Sequence, residues 1–252
     1  MVEPFLELDS VDKDFGSIRA IHDLSLQIPA GEVTAIIGPN GAGKTTLFNL
    51  LTGKFGPTAG QISFRGERID GRPPHEIVEM GLARSYQITN FFPELTALEN
   101  VRLAAQARYS GFAPQNFVSH YTDLDEPLEI AYDVLQRLEL ESIANEVAST
   151  LSHGQQRHLE IGIALAVAPD VLLMDEPTAG MSPDETGETK ELIQELADDL
   201  TLVIVEHDME VVMEVADNIA VINRGSLLAT GSPQDIQSNE AVQKAYLGGG
   251  AR

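Results

Sequence analysis

The 252-residue chain has no cysteine, which excludes a disulfide framework and thiolate metal sites. Bases are scarce: 16 Lys+Arg stand against 39 Asp+Glu, giving a net charge of -23. The lysines are Lys13, Lys44, Lys54, Lys190 and Lys244. So acidic a surface does not suit a polyanion, and no nucleic acid partner is expected. No apolar run reaches the roughly 18 residues of a membrane span. The longest, Ile161 to Met174, is interrupted by Pro169-Asp170. The opening Met1-Val2-Glu3-Pro4 carries an acid where a signal peptide needs bases, so no leader is expected. Internal repeats and low-complexity segments are also absent.

The acidic residues are spread along the chain, which excludes a disordered acidic tail. Two readings fit such dispersed charge. One is a protein working in concentrated salt, where self-repulsion is screened over about 3 Å at 1 M. The other is an ordinary acidic cytosolic protein.

Against that background one motif stands out. Gly38-Pro39-Asn40-Gly41-Ala42-Gly43-Lys44-Thr45 spells GxxxxGK[ST], after the apolar run Val33 to Ile37 and before the helix-like stretch Thr46 to Leu51. Glycines at a helix start turn backbone N–H groups toward an oligophosphate, and the helix dipole adds favourable charge. In this reading Lys44 reaches the β- and γ-phosphates and Thr45 ligates Mg2+. A structural Gly-rich turn is the competing reading.

Around this loop, short β-rich runs alternate with helical patterns. The runs are Ile21 to Ile28, Val33 to Ile37, Gln61 to Phe64, Val171 to Met174, Leu202 to Val205 and Ile219 to Ile222. Several are apolar at consecutive positions, as strands covered on both faces should be. Helices are predicted over Glu185 to Leu196 and Met209 to Val215. The pattern predicts an α/β fold with a mostly parallel sheet. From Phe91 to Leu151 the texture changes to helices, Glu99 to Arg108 and Leu128 to Leu138, separated by a polar loop and without a convincing strand. The expected organisation is a nucleotide-binding core over 1–90 and 156–252, with a helical subdomain over 91–155. The closing Gly248-Gly249-Gly250 is expected to fray.

Further polar elements are placed where such a core binds its ligand. Val171 to Met174 leads into Asp175-Glu176, putting two carboxylates at the carboxyl edge of a strand. Asp175 suits Mg2+ and its waters, and Glu176 suits a general base for an attacking water. Leu151-Ser152-His153-Gly154-Gln155 precedes an apolar helical pattern; Ser152 can cap that helix and free N–H groups around His153 and Gly154 for an anion. Gln87 and His207 each close a strand-like run; taken singly, each reads first as an ordinary loop residue, and only beside the other elements as a candidate for reading the γ-phosphate.

In this order and spacing the set resembles the nucleotide-binding subunit of an ABC transporter, a P-loop NTPase, over nearly the whole chain. It is similar more narrowly to the longer ATPase subunit of branched-chain amino acid importers. That similarity rests on Ser85-Tyr86-Gln87, Phe92 to Val101, Gly154 to Ile161, Ala179-Gly180-Met181-Ser182-Pro183, Glu206-His207-Asp208-Met209 and Ala245-Tyr246-Leu247-Gly248. Urea and short-chain amide importers share much of the pattern, so the solute stays open. The resemblance implies a RecA-like core with an antiparallel β subdomain and an inserted helical subdomain.

It also implies ATP with Mg2+, a head-to-tail partner ATPase, identical or related, and integral membrane permease subunits at the cytoplasmic face. Gly38 to Thr46, including Thr46, would hold the phosphates. Ser152, Gly154 and Gln155 would act in trans on the partner's ATP. Phe15 would stack on adenine, His207 would contact the γ-phosphate, and Gln87 would sense Mg2+ and couple to the permease. Three positions depart from the wider pattern: His153 and the Gly180-Met181-Ser182-Pro183 segment, where glycine and Ser-Ala-Leu-Asp are usual, and Gly162, where alanine is expected at a saving near 1 kcal/mol. A soluble ABC ATPase of DNA repair, translation or cluster assembly would want a second module, a basic stripe or cysteines. A P-loop GTPase would want Asn-Lys-x-Asp. None of these is present.

Overall fold

Where apolar residues run without interruption the chain forms short buried strands, and where they recur at helical spacing it forms helices. The computed structural model describes residues 5–85, 91–110 and 125–247. Its first part runs β1 (Leu6–Phe15), β2 (Ile18–Ile28), β3 (Val33–Ile37), α1 (Lys44–Leu51), β4 (Ala59–Phe64), β5 (Glu67–Arg68), α2 (Pro74–Glu79) and β6 (Leu82–Ser85). There follow α3 (Ala97–Ser110), α4 (Asp125–Arg137), α5 (His153–Leu165), β7 (Val171–Asp175), α6 (Pro183–Ala197), β8 (Thr201–Val205) and α7 (Met209–Val215). The last elements are β9 (Asn218–Asn223), β10 (Ser226–Gly231), α8 (Pro233–Ser238) and α9 (Glu240–Leu247).

The chain divides into two units, residues 1–77 with 193–252, and residues 78–192. The first holds an antiparallel sheet in the order β2-β1-β4-β5. It also holds β3 lying parallel to β8 on one side and β9 on the other, with β10 antiparallel to β9. All five residues of β3 and all five of β8 are buried, as the uninterrupted runs require of strands covered on both faces. β1 was not legible as a strand. Its alternation is broken by Asp9, Asp12 and Asp14, Ser10 turns into the left-handed region at φ 49, and the pairing with β2 shifts register three times.

In the second unit β6 and β7 pair in parallel, Leu82 opposite Val171 and Ser85 opposite Met174. Between 91 and 151 the described residues contain α3, α4 and two 3-10 turns, with only an isolated bridge between Thr96 and Val147. Strands are thus mixed but mostly parallel where the apolar runs predicted it. Most predicted elements prove longer by one to three residues at an end, while Val33–Ile37 and Met209–Val215 keep their bounds.

Candidate functional site

The phosphate loop leaves the carboxyl end of β3 and enters α1, the strand–loop–helix context its composition calls for. A Cβ on Gly38 would lie 2.1 Å from the Ile222 carbonyl oxygen, so only glycine lets the loop pass the end of β9. Gly43 caps α1 in the left-handed conformation at φ 110 and, as glycine, offers no side-chain cap to that helix end. Lys44 is buried and folds back beneath the loop. Its Nζ donates to the carbonyls of Gly38 at 2.6 Å and Pro39 at 3.3 Å. The loop is therefore a concave backbone with an ammonium under it, a fit for the phosphates of a nucleotide. Asn40, Gly41 and Thr45 are exposed, Pro39 and Thr46 half-buried, and Ala42 buried.

The first unit carries two more of the predicted residues. Phe15, at the end of β1, is 42% exposed and is no core aromatic. Its ring meets Phe55 edge-on at 5.3 Å. His207 lies just past β8, exposed, and the parallel register that pairs Ile36 with Val205 carries it level with the start of the phosphate loop. Its backbone is held by its neighbour. Glu206 is buried, and its Oε2 accepts from the amides of His207 at 2.9 Å and Asp208 at 3.4 Å. Asp208 then caps α7 by accepting from the Glu210 amide.

The second unit carries the carboxylates. Asp175 ends β7 and is 5% exposed, and Arg84 Nη2 donates to its Oδ2 at 2.6 Å across the β6–β7 pair. Arg157, from α5, donates to the Asp175 carbonyl and at 2.7 Å to Glu160. Glu176 follows, half-buried, at φ 51. A non-glycine residue in that region costs about 1–2 kcal/mol, and the turn tolerates it directly after the strand. Sequence reading found the two acids. It missed both arginines, because Asp175 lies 91 positions from Arg84 and 18 from Arg157.

Ser152 caps α5 in a capping box: its Oγ accepts from the Gln155 amide at 3.2 Å, and Gln155 Oε1 accepts from the Ser152 amide at 2.9 Å. Ser152 and His153 are exposed. The expectation of a freed amide at Gly154 needs correction. That N–H donates at 3.2 Å to Oε1 of Glu185, whose other oxygen accepts from the amide and hydroxyl of Ser182. The Ser182 bonds chiefly hold the Glu185 carboxyl below its usual range; burial opposes them, and the Gly154 amide and the charge of His153 add lesser lowering effects. Gly162 also finds its reason, since a Cβ there would stand 2.6 Å from Leu138 Cδ1 and 3.3 Å from Val134 Cγ1. Those two side chains occupy the space a methyl at Gly162 would take, so alanine there would require Leu138 to shift.

Gln87, and the frayed end expected at Gly248 to Gly250, lie outside the described residues. Among the described residues no group of three or more His, Cys, Asp or Glu could hold a metal ion by itself. Thr45 in the first unit and Asp175 in the second each carry a hard oxygen of the kind Mg2+ prefers. No helix of the described residues is long and apolar enough to cross a membrane.

The profile of the family described as "ABC transporter" matches residues 21–179, and that of "Branched-chain amino acid ATP-binding cassette transporter" matches residues 226–252. The chain is 41% identical to the high-affinity branched-chain amino acid transport ATP-binding protein BraF of Pseudomonas aeruginosa, over 98% of this chain and 99% of that protein. Identity to the corresponding protein LivG of Escherichia coli K12 is 39%, again over 98% and 99%. Among solved structures, the ADP conformation of an ATP-binding cassette of an ABC transporter fits with a TM-score of 0.85 at 30% identity, covering 98% of this chain and 99% of that one. A dimeric cassette in a post-hydrolysis state, bound to ADP and Pi, fits at 0.76 and 28%, covering 90% and 98%.

Proposed function

This chain belongs to the ABC transporter family, and from that membership we propose that it is the ATP-hydrolysing motor subunit of an importer of branched-chain amino acids. The observation that carries the proposal is the phosphate loop with Lys44 held beneath it by the Gly38 and Pro39 carbonyls. The names of the two relatives at 41% and 39% identity support the solute class.

In this account Gly38 to Thr46 hold the ATP phosphates, Lys44 neutralises charge on them, and Phe15 carries the base. Thr45, Asp175 and Gln87 are assigned to Mg2+, which when bound would offset charge on the phosphate oxygens. Glu176 takes a proton from the attacking water, and His207 keeps water and γ-phosphate aligned. The segment Ser152, Gly154 and Gln155 serves the nucleotide of a second ATPase chain, identical or related and arranged head to tail, through Ser152, since the Gly154 amide is already engaged by Glu185. The exposure of Ser152 and His153 supports that assignment, as does the existence of a dimeric cassette among the structural neighbours. Residues 91–155 form the helical subdomain that meets the permease, inserted between the core segments 1–90 and 156–252. The chain then works at the cytoplasmic face of the membrane, held there by its partners.

The charge of -23 supports a concentrated-salt setting. Activity and folding should both improve as KCl is raised toward molar levels; full activity near physiological salt would remove that part. The transport reading is tested in vesicles carrying the complex purified through this chain. ATP-dependent uptake of leucine is expected, whereas uptake of urea or short-chain amides without leucine would overturn the solute assignment. Copurification with no integral membrane protein would overturn the motor.

A further inference from the structure

We propose that Lys13 is a positioning residue for the nucleotide base, holding the Phe15 ring in place from behind. The inference rests on the reading of Phe15 as the base platform. Lys13 Nζ lies 5.0 Å from the centroid of Phe15 and 5.6 Å from that of Phe55, and the two rings meet nearly at right angles, with an interplanar angle of 79°. The ammonium thus sits in the corner between two aromatic rings. It also donates to the Gly56 carbonyl at 2.7 Å. Phe15 keeps 42% of its surface open, which leaves room for a base to stack.

This corner is tied to the phosphate loop. The Phe55 amide bonds to the Asn49 carbonyl in the last turns of α1, the helix that begins at Lys44. The Thr58 amide bonds to the Asp12 carbonyl at 2.7 Å, and the Asp14 amide to Thr58 Oγ1 at 2.9 Å, on either side of Lys13. A ring at the end of a two-stranded turn would otherwise be free to change rotamer, and ordering it would weaken nucleotide binding. A cation against one face removes that freedom in advance and draws π density away from the face left for the base.

The experiment compares affinities for ATP and for inorganic tripolyphosphate, which uses the phosphate loop but has no base. Lys13→Met should raise the Kd for ATP about two- to fivefold, the weight of one exposed cation–π contact. It should leave the Kd for tripolyphosphate unchanged, and Lys13→Arg should restore ATP affinity. An equal loss for both ligands would make Lys13 a plain counter-charge for phosphate and overturn the inference. So would an unaltered ATP affinity in Lys13→Met, provided Phe15→Ala weakens ATP at least about fivefold, as loss of a stacking ring should. If Phe15→Ala leaves ATP affinity intact, the platform reading itself fails and takes this inference with it.

Discussion

The amide of Gly225 donates to the carbonyl of Ala42 at 2.8 Å, bolting the turn between β9 and β10 to the middle of the phosphate loop. The Gly225 carbonyl in turn accepts from the His22 amide at 2.8 Å, so one residue joins loop, turn and β2. Gly225 sits at φ 82, and a Cβ there would approach the Ala20 carbonyl oxygen to 2.6 Å.

Gly225→Ala must therefore move backbone, at a cost of about 1–3 kcal/mol. Because the shift is passed to Ala42, ATP affinity should fall about tenfold as well. Calorimetric titration with ATP checks this, and wild-type affinity in the variant would show that the turn does not shape the loop.

The Arg84–Asp175 pair is buried on both sides, each side chain 6% exposed. Removing the cation strands a carboxylate at the end of β7, so Arg84→Met should destabilise the protein by about 3–5 kcal/mol in urea unfolding. Lys244→Ala removes one side of the Lys244–Glu240 pair, whose side chains are 79% and 86% exposed, and should scarcely move the unfolding midpoint. Equal effects of the two substitutions would contradict the difference in burial.

What could be read from the sequence was what adjacent residues decide. The run Val33 to Ile37 with its glycine-rich continuation specified a strand, a loop and a helix in succession, and Ser152 specified a helix cap. What could not be read depended on residues brought together by the fold. Arg84 and Arg157 converge on Asp175 from two elements, Glu185 takes the Gly154 amide across 31 positions, and Gly225 reaches Ala42. At Gly162 the sequence shows only a lost helix propensity, and the crowding by Val134 and Leu138 exists only in the fold. β1 escaped because its charges and register shifts erase the alternation that marks a strand.

His158 illustrates the same limit and gives a pH dependence. Its Nε2 lies 3.0 Å from Thr189 Oγ1, and burial lowers its pKa below the ordinary 6.5, against the opposing charges of Glu185 and Glu139. The folded state keeps this imidazole neutral while the unfolded chain binds a proton near that value. Stability is therefore fully present above about pH 6.5 and declines as pH falls from there toward the lower folded value. Unfolding midpoints across that window should fall less in His158→Gln than in wild type. Parallel profiles would remove His158 as the source.

Glu176→Gln keeps the side-chain size at φ 51 but cannot accept the proton of an attacking water. ATP binding should persist while steady-state turnover drops at least about 100-fold. Near-normal hydrolysis would take Glu176 out of the general-base role.

The central claim is that this chain carries halves of two different sites, its phosphate loop completed by another chain's Ser152-type segment. Ser152→Arg tests it most directly, with ATP binding to the isolated chain and ATP hydrolysis by the assembled ATPase pair measured side by side. The account predicts unchanged ATP affinity together with loss of hydrolysis, and weakened ATP binding by the isolated chain would contradict it.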